Sequence, residues 1–132
     1  MKNIKGFKNS WILTEEGLIK TSLIIEDGKI KEIGDIESND LIQLDDDKII
    51  IPGFIDQHIH GAAGVDAIDG SVDVIHKMAC ALAQEGTTAF LATTVNQSVE
   101  VIDKSLISIK EYMEQNHEDG AEVLGTHLEG PF

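Results

Sequence analysis

Three side chains that can bind a metal ion follow two separate apolar segments of this chain. His58 and His60 end the segment 54–60, and Glu129 follows the segment 123–127. In a β-strand, residues two apart share a face, so the two imidazoles point the same way, roughly 6–7 Å apart along the chain. Neutral imidazoles and a carboxylate are common ligands of divalent metals. The pattern predicts a metal site formed by His58, His60 and Glu129, with Glu129 also a candidate catalytic general base.

Two further polar residues lie on the same strand faces as these candidate ligands. Asp56 precedes His58 by two residues and is expected to hydrogen-bond a ligand or neighbouring backbone and so orient it. His127 precedes Glu129 by two residues. His127 either points toward a substrate or packs as a satisfied core histidine, and both interpretations stay open. A histidine pair without metal is the simpler alternative, but burying an unpaired Asp and His together would cost several kcal/mol.

The other chemically competent side chains are expected to be structural. His76 falls within a predicted helix and His117 in a polar loop, so both are expected at the surface. Cys80 stands among alanines and a leucine, which predicts a core position rather than a nucleophile. Thr93 and Thr94 end an apolar segment and are weaker candidates for contact with a substrate.

The elements that must position these residues begin at Pro52-Gly53. Three apolar segments, 54–59, 87–94 and 123–127, alternate with two amphipathic segments that Ser71 and Ser98 can cap. The apolar face predicted for the first helix is Val72, Ile75, Ala79 and Leu82, and that for the second is Val99, Ile102, Leu106, Ile109 and Met113. This alternation predicts parallel strands joined by helices, as in an open doubly wound sheet or a (β/α)8 barrel. The glycines after the first strand lack the dinucleotide-binding register, which favours the barrel. A barrel needs about 250 residues, so we expect residues 52–132 to be its first three strands and two helices, an incomplete metal-dependent hydrolase barrel.

Residues 1–51 have a different pattern and predict a small antiparallel β unit, a segment of a β-sandwich. The run 18–26 is rich in β-branched residues, and Asp27-Gly28 is a favoured pair for a tight hairpin turn. Residues 29–33 then alternate polar and apolar side chains, as in a half-buried strand. The overall prediction is therefore an α/β chain with two parts.

Composition restricts the partners and the compartment. Ten Lys and no Arg oppose 24 Asp and Glu, for a net charge of −14. Nucleic-acid binding is not expected, because it needs a basic surface. Without an Arg there is no bidentate guanidinium to hold a phosphate. No apolar run reaches the roughly 20 residues of a membrane span. The single cysteine, Cys80, is consistent with a reducing cytoplasm.

The motifs resemble those of the amidohydrolase superfamily. Pro52-Gly-Phe-Ile-Asp-x-His-x-His-Gly61 is similar to its first-strand motif. Gly86-Thr-Thr-x-Phe-Leu-x-Thr-Thr94 and His127-Leu-Glu-Gly-Pro-Phe132 resemble its deacetylases of phosphorylated amino sugars. The resemblance implies a (β/α)8 barrel with a β-sandwich, and His58, His60 and Glu129 as ligands of one or two divalent ions, zinc or iron. It also implies two later histidine ligands, a later aspartate acid/base and a homodimer.

The implied reaction is hydrolysis of N-acetylglucosamine 6-phosphate to glucosamine 6-phosphate and acetate, in amino-sugar catabolism. The 132-residue chain alone is expected to be inactive, because it lacks the later residues. Two alternatives remain at this stage. One is another amidohydrolase, such as a cyclic amidase, although such enzymes place a lysine where a bridging ligand is needed. The other is a non-catalytic metal-binding module. Such a module should be compact, whereas an incomplete barrel should expose apolar strand edges.

Overall fold

The first unit, Met1–Pro52, is a β-sheet built around one long strand. The computed structural model describes residues 5–130, so Pro131 and Phe132 of the terminal motif lie outside the described residues. The strands of this unit are β1 Gly6–Thr14, β2 Gly17–Glu26, β3 Lys29–Gly34, β4 Ile42–Gln43 and β5 Ile49–Ile50. They run in the order β3-β2-β1-β4, and β5 also pairs with β1.

The hairpin between β2 and β3 confirms the turn expected from the sequence. Glu26 pairs with Lys29, and Asp27 and Gly28 have φ of 50° and 73°. Positive φ at both central residues is what a tight two-residue hairpin turn requires. The expectation of an antiparallel unit is correct for β1, β2 and β3 and wrong for β4 and β5, which pair with β1 in parallel. Each of these strands is only two residues long, too short for its alternation to be recognised in the sequence.

The second unit, Gly53–Phe132, contains a parallel sheet covered by two helices. Its elements are β6 Phe54–Ile59, β7 Gly61–Ala62, β8 Val65–Asp66, a 3₁₀ turn at Ala67–Asp69, α1 Val72–Gln84, β9 Thr87–Thr93, α2 Val99–Met113 and β10 Glu122–His127. β9 lies between β6 and β10 and pairs in parallel with both. The α/β class is therefore confirmed. Among residues 5–130, these three strands form an open sheet and not a closed barrel.

The first helix follows the sequence prediction closely. Ser71 is the N-cap, and its hydroxyl accepts a hydrogen bond from the backbone N–H of Val74. Ile75, Ala79 and Leu82 on the predicted face are buried. Phe90 at the centre of β9 is fully buried in the same core. These contacts hold the helix over the sheet and fix the strand ends that carry the candidate site.

The second helix departs from its predicted face. Ser98 is the N-cap residue, but its hydroxyl makes no capping bond to the helix backbone. Of the predicted apolar face, Val99 and Met113 are exposed. Ile102 and Ile109 of that face are buried, together with three residues that were not predicted, Ser105, Ser108 and Tyr112. Ser105 is fully buried because its hydroxyl donates to the carbonyl of Ala67 at 2.7 Å, which gives a polar side chain a partner in the core.

Candidate metal centre

The three predicted ligands converge at the carboxyl ends of β6 and β10. His58 Nε2 lies 3.3 Å from His60 Nε2 and 3.0 Å from Glu129 Oε2, and His60 Nε2 lies 3.1 Å from the same carboxylate oxygen. Three ligands about 2.0–2.1 Å from one tetrahedral metal would be roughly 3.3–3.4 Å apart. The observed triangle has nearly this size. His58 is exposed and His60 and Glu129 are partly buried, so the site is open to solvent.

Local backbone bonds position the two histidines. The end of β6 bulges, because the two residues between Asp56 and Ile59 oppose a single residue, Leu91, on β9. Within the bulge the Asp56 carboxylate accepts a hydrogen bond from the backbone N–H of His58 at 3.0 Å. The carbonyl of His60 accepts from the N–H of Ala67 at 2.7 Å. Asp56 therefore contacts the backbone of a candidate ligand, one of the two contacts expected for it; its contribution to metal binding remains a prediction.

His127 is partly buried, and one of its ring nitrogens has a hydrogen-bond partner. Its Nδ1 lies 3.0 Å from the carbonyl oxygen of Gln57, which can only accept, so Nδ1 carries the proton. In the neutral ring, Nε2 then keeps its lone pair. The ring packs 4.4 Å from that of His58, which places His127 beside the candidate metal centre. The role of Gln57 was not predicted, because a backbone carbonyl freed by a bulge has no side-chain signal.

The two threonines at the end of β9 are fully buried. The hydroxyl of Thr93 accepts from the backbone N–H of Ile59 at 3.0 Å and donates to the carbonyl of Leu91 at 3.2 Å. It therefore ties β6 to β9 beneath the site. The expectation that these residues contact a substrate finds no support in their burial. One polar atom of the ligands themselves, Nδ1 of His60, is buried without a hydrogen-bond partner among the described residues.

A second cluster contains two residues, His76 and Cys80, for which only a structural role was expected. His76 and Cys80 on α1 lie close to Asp119 in the loop before β10. His76 and His117 were expected at the surface, and Cys80 in the core, but all three are partly buried. Partial burial raises the pKa of the Cys80 thiol, and the Asp119 carboxylate raises it further. A raised pKa disfavours the thiolate, so Cys80 does not have the character of a catalytic nucleophile.

The second unit has parallel strands joined by helices, with two histidines and a carboxylate at the carboxyl ends of the strands. These are the features that the resemblance to amidohydrolases implies. No family profile matches the chain. The particular resemblance is to N-acetylglucosamine-6-phosphate deacetylases. The chain is 40% identical over 95% of its length to that of Bacillus subtilis strain 168. It is 38% identical over 92% of its length to the N-acetylgalactosamine-6-phosphate deacetylase of Escherichia coli O157:H7.

The solved structures agree with this resemblance. The N-acetylglucosamine-6-phosphate deacetylase of Thermotoga maritima superimposes with a TM-score of 0.77 at 32% identity, covering 96% of this chain and 32% of that one. A D-hydantoinase gives 0.58 at 25% identity, covering 94% and 26%. The predicted resemblance is thus confirmed in sequence and fold. The chain spans about one third of the length of the curated relatives, 33% and 32% for the two named above.

Proposed function

We propose that the chain supplies part of the active site of a metal-dependent deacetylase that hydrolyses N-acetylglucosamine 6-phosphate to glucosamine 6-phosphate and acetate. The observation that carries the proposal is the convergence of His58, His60 and Glu129 within 3.3 Å of one another, from strands that are not neighbours in the sheet. The names of the similar proteins support the choice of substrate class.

The donor set fits a divalent ion. Two imidazole nitrogens and one carboxylate oxygen suit zinc or iron better than calcium or magnesium, which prefer oxygen ligands. We infer that His58, His60 and Glu129 would hold one or two such ions. A bound ion of this kind polarises a carbonyl group and lowers the pKa of a water molecule. Asp56 accepts a hydrogen bond from the backbone of His58, and Nε2 of His127 is suited to accept a hydrogen bond from a substrate.

The sheet is consistent with a barrel as the complete architecture. The strands follow one another in chain order across the sheet, and α1 and α2 pack against each other. A doubly wound sheet of order 3-2-1-4-5-6 also places its first three strands in chain order, so the choice of a barrel rests on the resemblance of the sequence motifs to amidohydrolases. We therefore propose that the second unit is the beginning of a (β/α)8 barrel. No helix in the described part of the chain has the length and apolarity that a membrane span needs. The cytoplasmic location and the homodimer remain predictions.

Two alternative functions can be distinguished from the proposed one by experiment. The galactosamine deacetylase among the relatives makes the 4-epimer of the sugar a second candidate substrate. A cyclic amidase is less favoured, because the hydantoinase structure superimposes less well than the deacetylase structure. The protein encoded by the full reading frame should release acetate from one of the two sugar phosphates and not open a hydantoin ring. Loss of acetate release in Glu129→Gln, with the sugar still bound, would support the assignment; hydantoin hydrolysis would contradict it.

The non-catalytic alternative is tested on the 132-residue chain. This chain should bind about one equivalent of zinc or ferrous ion through His58, His60 and Glu129 without releasing acetate. Metal analysis of His58→Ala and Glu129→Ala variants checks the ligands. Turnover by the isolated chain that Glu129→Gln abolishes would contradict the expectation that it is inactive. A full-length protein that binds metal at these residues but hydrolyses none of the three substrates would favour a binding module.

A further inference from the structure

A second group of metal-binding side chains lies outside the proposed active site. His76 and Cys80 are four residues apart on α1, so one turn of the helix brings both to the same face. Asp119 approaches this face from the loop between α2 and β10. The ligand atoms are His76 Nε2, Cys80 Sγ and a carboxylate oxygen of Asp119, and all lie within 4.8 Å of one another.

The two separations from sulfur are those of weak thiol hydrogen bonds, and all three separations also suit a shared metal ion. Cys80 Sγ is 3.7 Å from His76 Nε2 and 3.8 Å from Asp119 Oδ2, and His76 Nε2 is 3.7 Å from Asp119 Oδ1. A short nitrogen–oxygen hydrogen bond would be roughly 2.7–3.2 Å. Around a tetrahedral zinc ion, with bonds of about 2.0–2.3 Å, ligand atoms stand roughly 3.3–3.6 Å apart. The observed gaps exceed these spacings by only a few tenths of an ångström.

The loop that carries Asp119 is held firmly against the helix. The N–H of Ala121 donates to the carbonyl of Ala79 at 2.9 Å. Gly120 has φ of +87°, and a Cβ there would lie 3.0 Å from the Cβ of Ala79 and 3.2 Å from the backbone nitrogen of Cys80. A side chain at position 120 would push the loop away. The glycine and the backbone bond thus place Asp119 over Cys80 independently of the contacts among the three ligands.

Two aromatic rings pack beside His76. The buried Tyr112 stacks on His117 at 3.8 Å between centroids, and His117 stacks on His76 at 5.3 Å. The Tyr112 hydroxyl lies 3.4 Å from Nδ1 of His76. A histidine that binds a metal through Nε2 usually donates its other N–H to an oxygen, which fixes the ring. Tyr112 is in position to accept that hydrogen bond.

We propose that His76, Cys80 and Asp119 form a second, structural site for a zinc-like divalent ion, which ties the loop before β10 to α1. A thiolate, an imidazole and a carboxylate together select zinc or cobalt over calcium and magnesium. The exposed side of Asp119 leaves a fourth position for water. This site shares no ligand with His58, His60 and Glu129, so a test of it does not depend on the proposed deacetylase activity.

The test is a titration of the 132-residue chain with Co²⁺ alone. Thiolate bound to cobalt gives a charge-transfer band in the near ultraviolet, and Cys80 is the only cysteine in the chain. We expect the band to reach the intensity of one cobalt–thiolate centre per chain, independently of protein concentration, and to disappear when zinc is added. Cys80→Ser should abolish it, and Asp119→Asn should weaken cobalt binding at least tenfold. Glu129→Gln and the neighbouring acid variant Glu118→Gln should leave it unchanged.

A second measurement does not depend on cobalt. Zinc should slow the reaction of Cys80 with a thiol-reactive disulfide, and this protection should be lost in Asp119→Asn and in His76→Gln, with folding checked by circular dichroism. Absence of the charge-transfer band from the folded chain would overturn the proposal. Equal cobalt affinity in wild type, Asp119→Asn and His76→Gln would also overturn it, because Cys80 would then be binding the ion without its two proposed partners.

Discussion

Zinc should stabilise the second unit through Glu129, and the size of the effect follows from linkage. At a metal concentration of 100 times Kd, binding adds about 2.7 kcal/mol to the free energy of unfolding. The second unit has 80 residues, from 53 to 132. For a domain of that size, about 1 kcal/mol shifts the unfolding temperature by roughly 4–8 °C. Zinc should therefore raise it by roughly 11–22 °C.

Glu129→Gln should remove a defined part of the zinc-induced rise in unfolding temperature. Loss of a supporting residue near a metal typically weakens binding about 10–100-fold, so loss of a ligand should cost at least tenfold. At the same zinc concentration a tenfold weaker site gives about 1.3 kcal/mol less stabilisation. The expected loss is roughly 5–10 °C of the zinc-induced shift. The comparison uses the difference between zinc-bound and metal-free samples of each variant, so any effect of the substitution on the metal-free chain cancels.

The two units offer separate optical signals for the assay. Both α-helices of the described residues, α1 and α2, are in the second unit, so far-ultraviolet circular dichroism follows that unit. Trp11, the only tryptophan, is in the first unit and reports on it by fluorescence. The experiment is done in a Cys80→Ser background to remove the second proposed site. Glu122→Gln is the matched control, since it makes the same substitution at the opposite end of β10.

Two outcomes would show that Glu129 does not bind zinc as proposed. If zinc shifts the helical transition equally in Glu129→Gln and Glu122→Gln, then Glu129 does not bind the ion, whatever the ion does elsewhere. An absence of any zinc-induced shift in the Cys80→Ser chain would refute it as well, because the three converging groups would then not bind zinc.

Three further perturbations test the fold. Ser105→Ala should lower the free energy of unfolding by about 1–3 kcal/mol, because the buried carbonyl of Ala67 loses its donor. The Ser108 hydroxyl donates to the carbonyl of Lys104 within the same helix, so Ser108→Ala should lower the free energy of unfolding less in the same denaturant titration. Hydrogen bonds from its own backbone N–H and from the Ser98 hydroxyl lower the pKa of the exposed Glu100 carboxyl. Glu100→Gln should therefore reduce stability at neutral pH, and the difference should vanish as the pH falls through the folded-state pKa of Glu100. Ile55 on the edge strand β6 is exposed, and Ile55→Lys should reduce self-association in sedimentation velocity.

The sequence predicted best where local chemistry decides the structure. The cap at Ser71 and the turn at Asp27-Gly28 depend on residues within a few positions of one another. The buried face of α2 could not be predicted in the same way. The apolar spacing favoured Leu106 and Met113, but the serine at 105 is buried because Ala67, 38 residues away, accepts its hydrogen bond. A polar residue with a distant partner is indistinguishable in sequence from an exposed one.

The candidate sites show the same division. The spacing of His58 and His60 predicts a shared face, and parallel strands bring Glu129 to the same edge of the sheet. The contact between His127 and Gln57 depends on a bulge that the sequence does not mark. For the second cluster, the four-residue spacing of His76 and Cys80 was visible, but Asp119 was not, because its position depends on a loop.

The two proposed metal sites should behave as independent units. Asp119 precedes β10 and Glu129 follows it, and six residues of extended strand span roughly 17 Å. Effects at sites more than about 7–10 Å apart usually add within roughly 0.3–0.5 kcal/mol. Zinc should therefore stabilise the chain in two additive steps, with Cys80→Ser removing one and Glu129→Gln weakening the other. The double variant, measured by thermal unfolding at fixed zinc, should lose the sum of the two single losses. A loss far from that sum would mean that the two clusters compete for one ion or share an element that moves, and the assignment of two separate ligand sets would have to be abandoned.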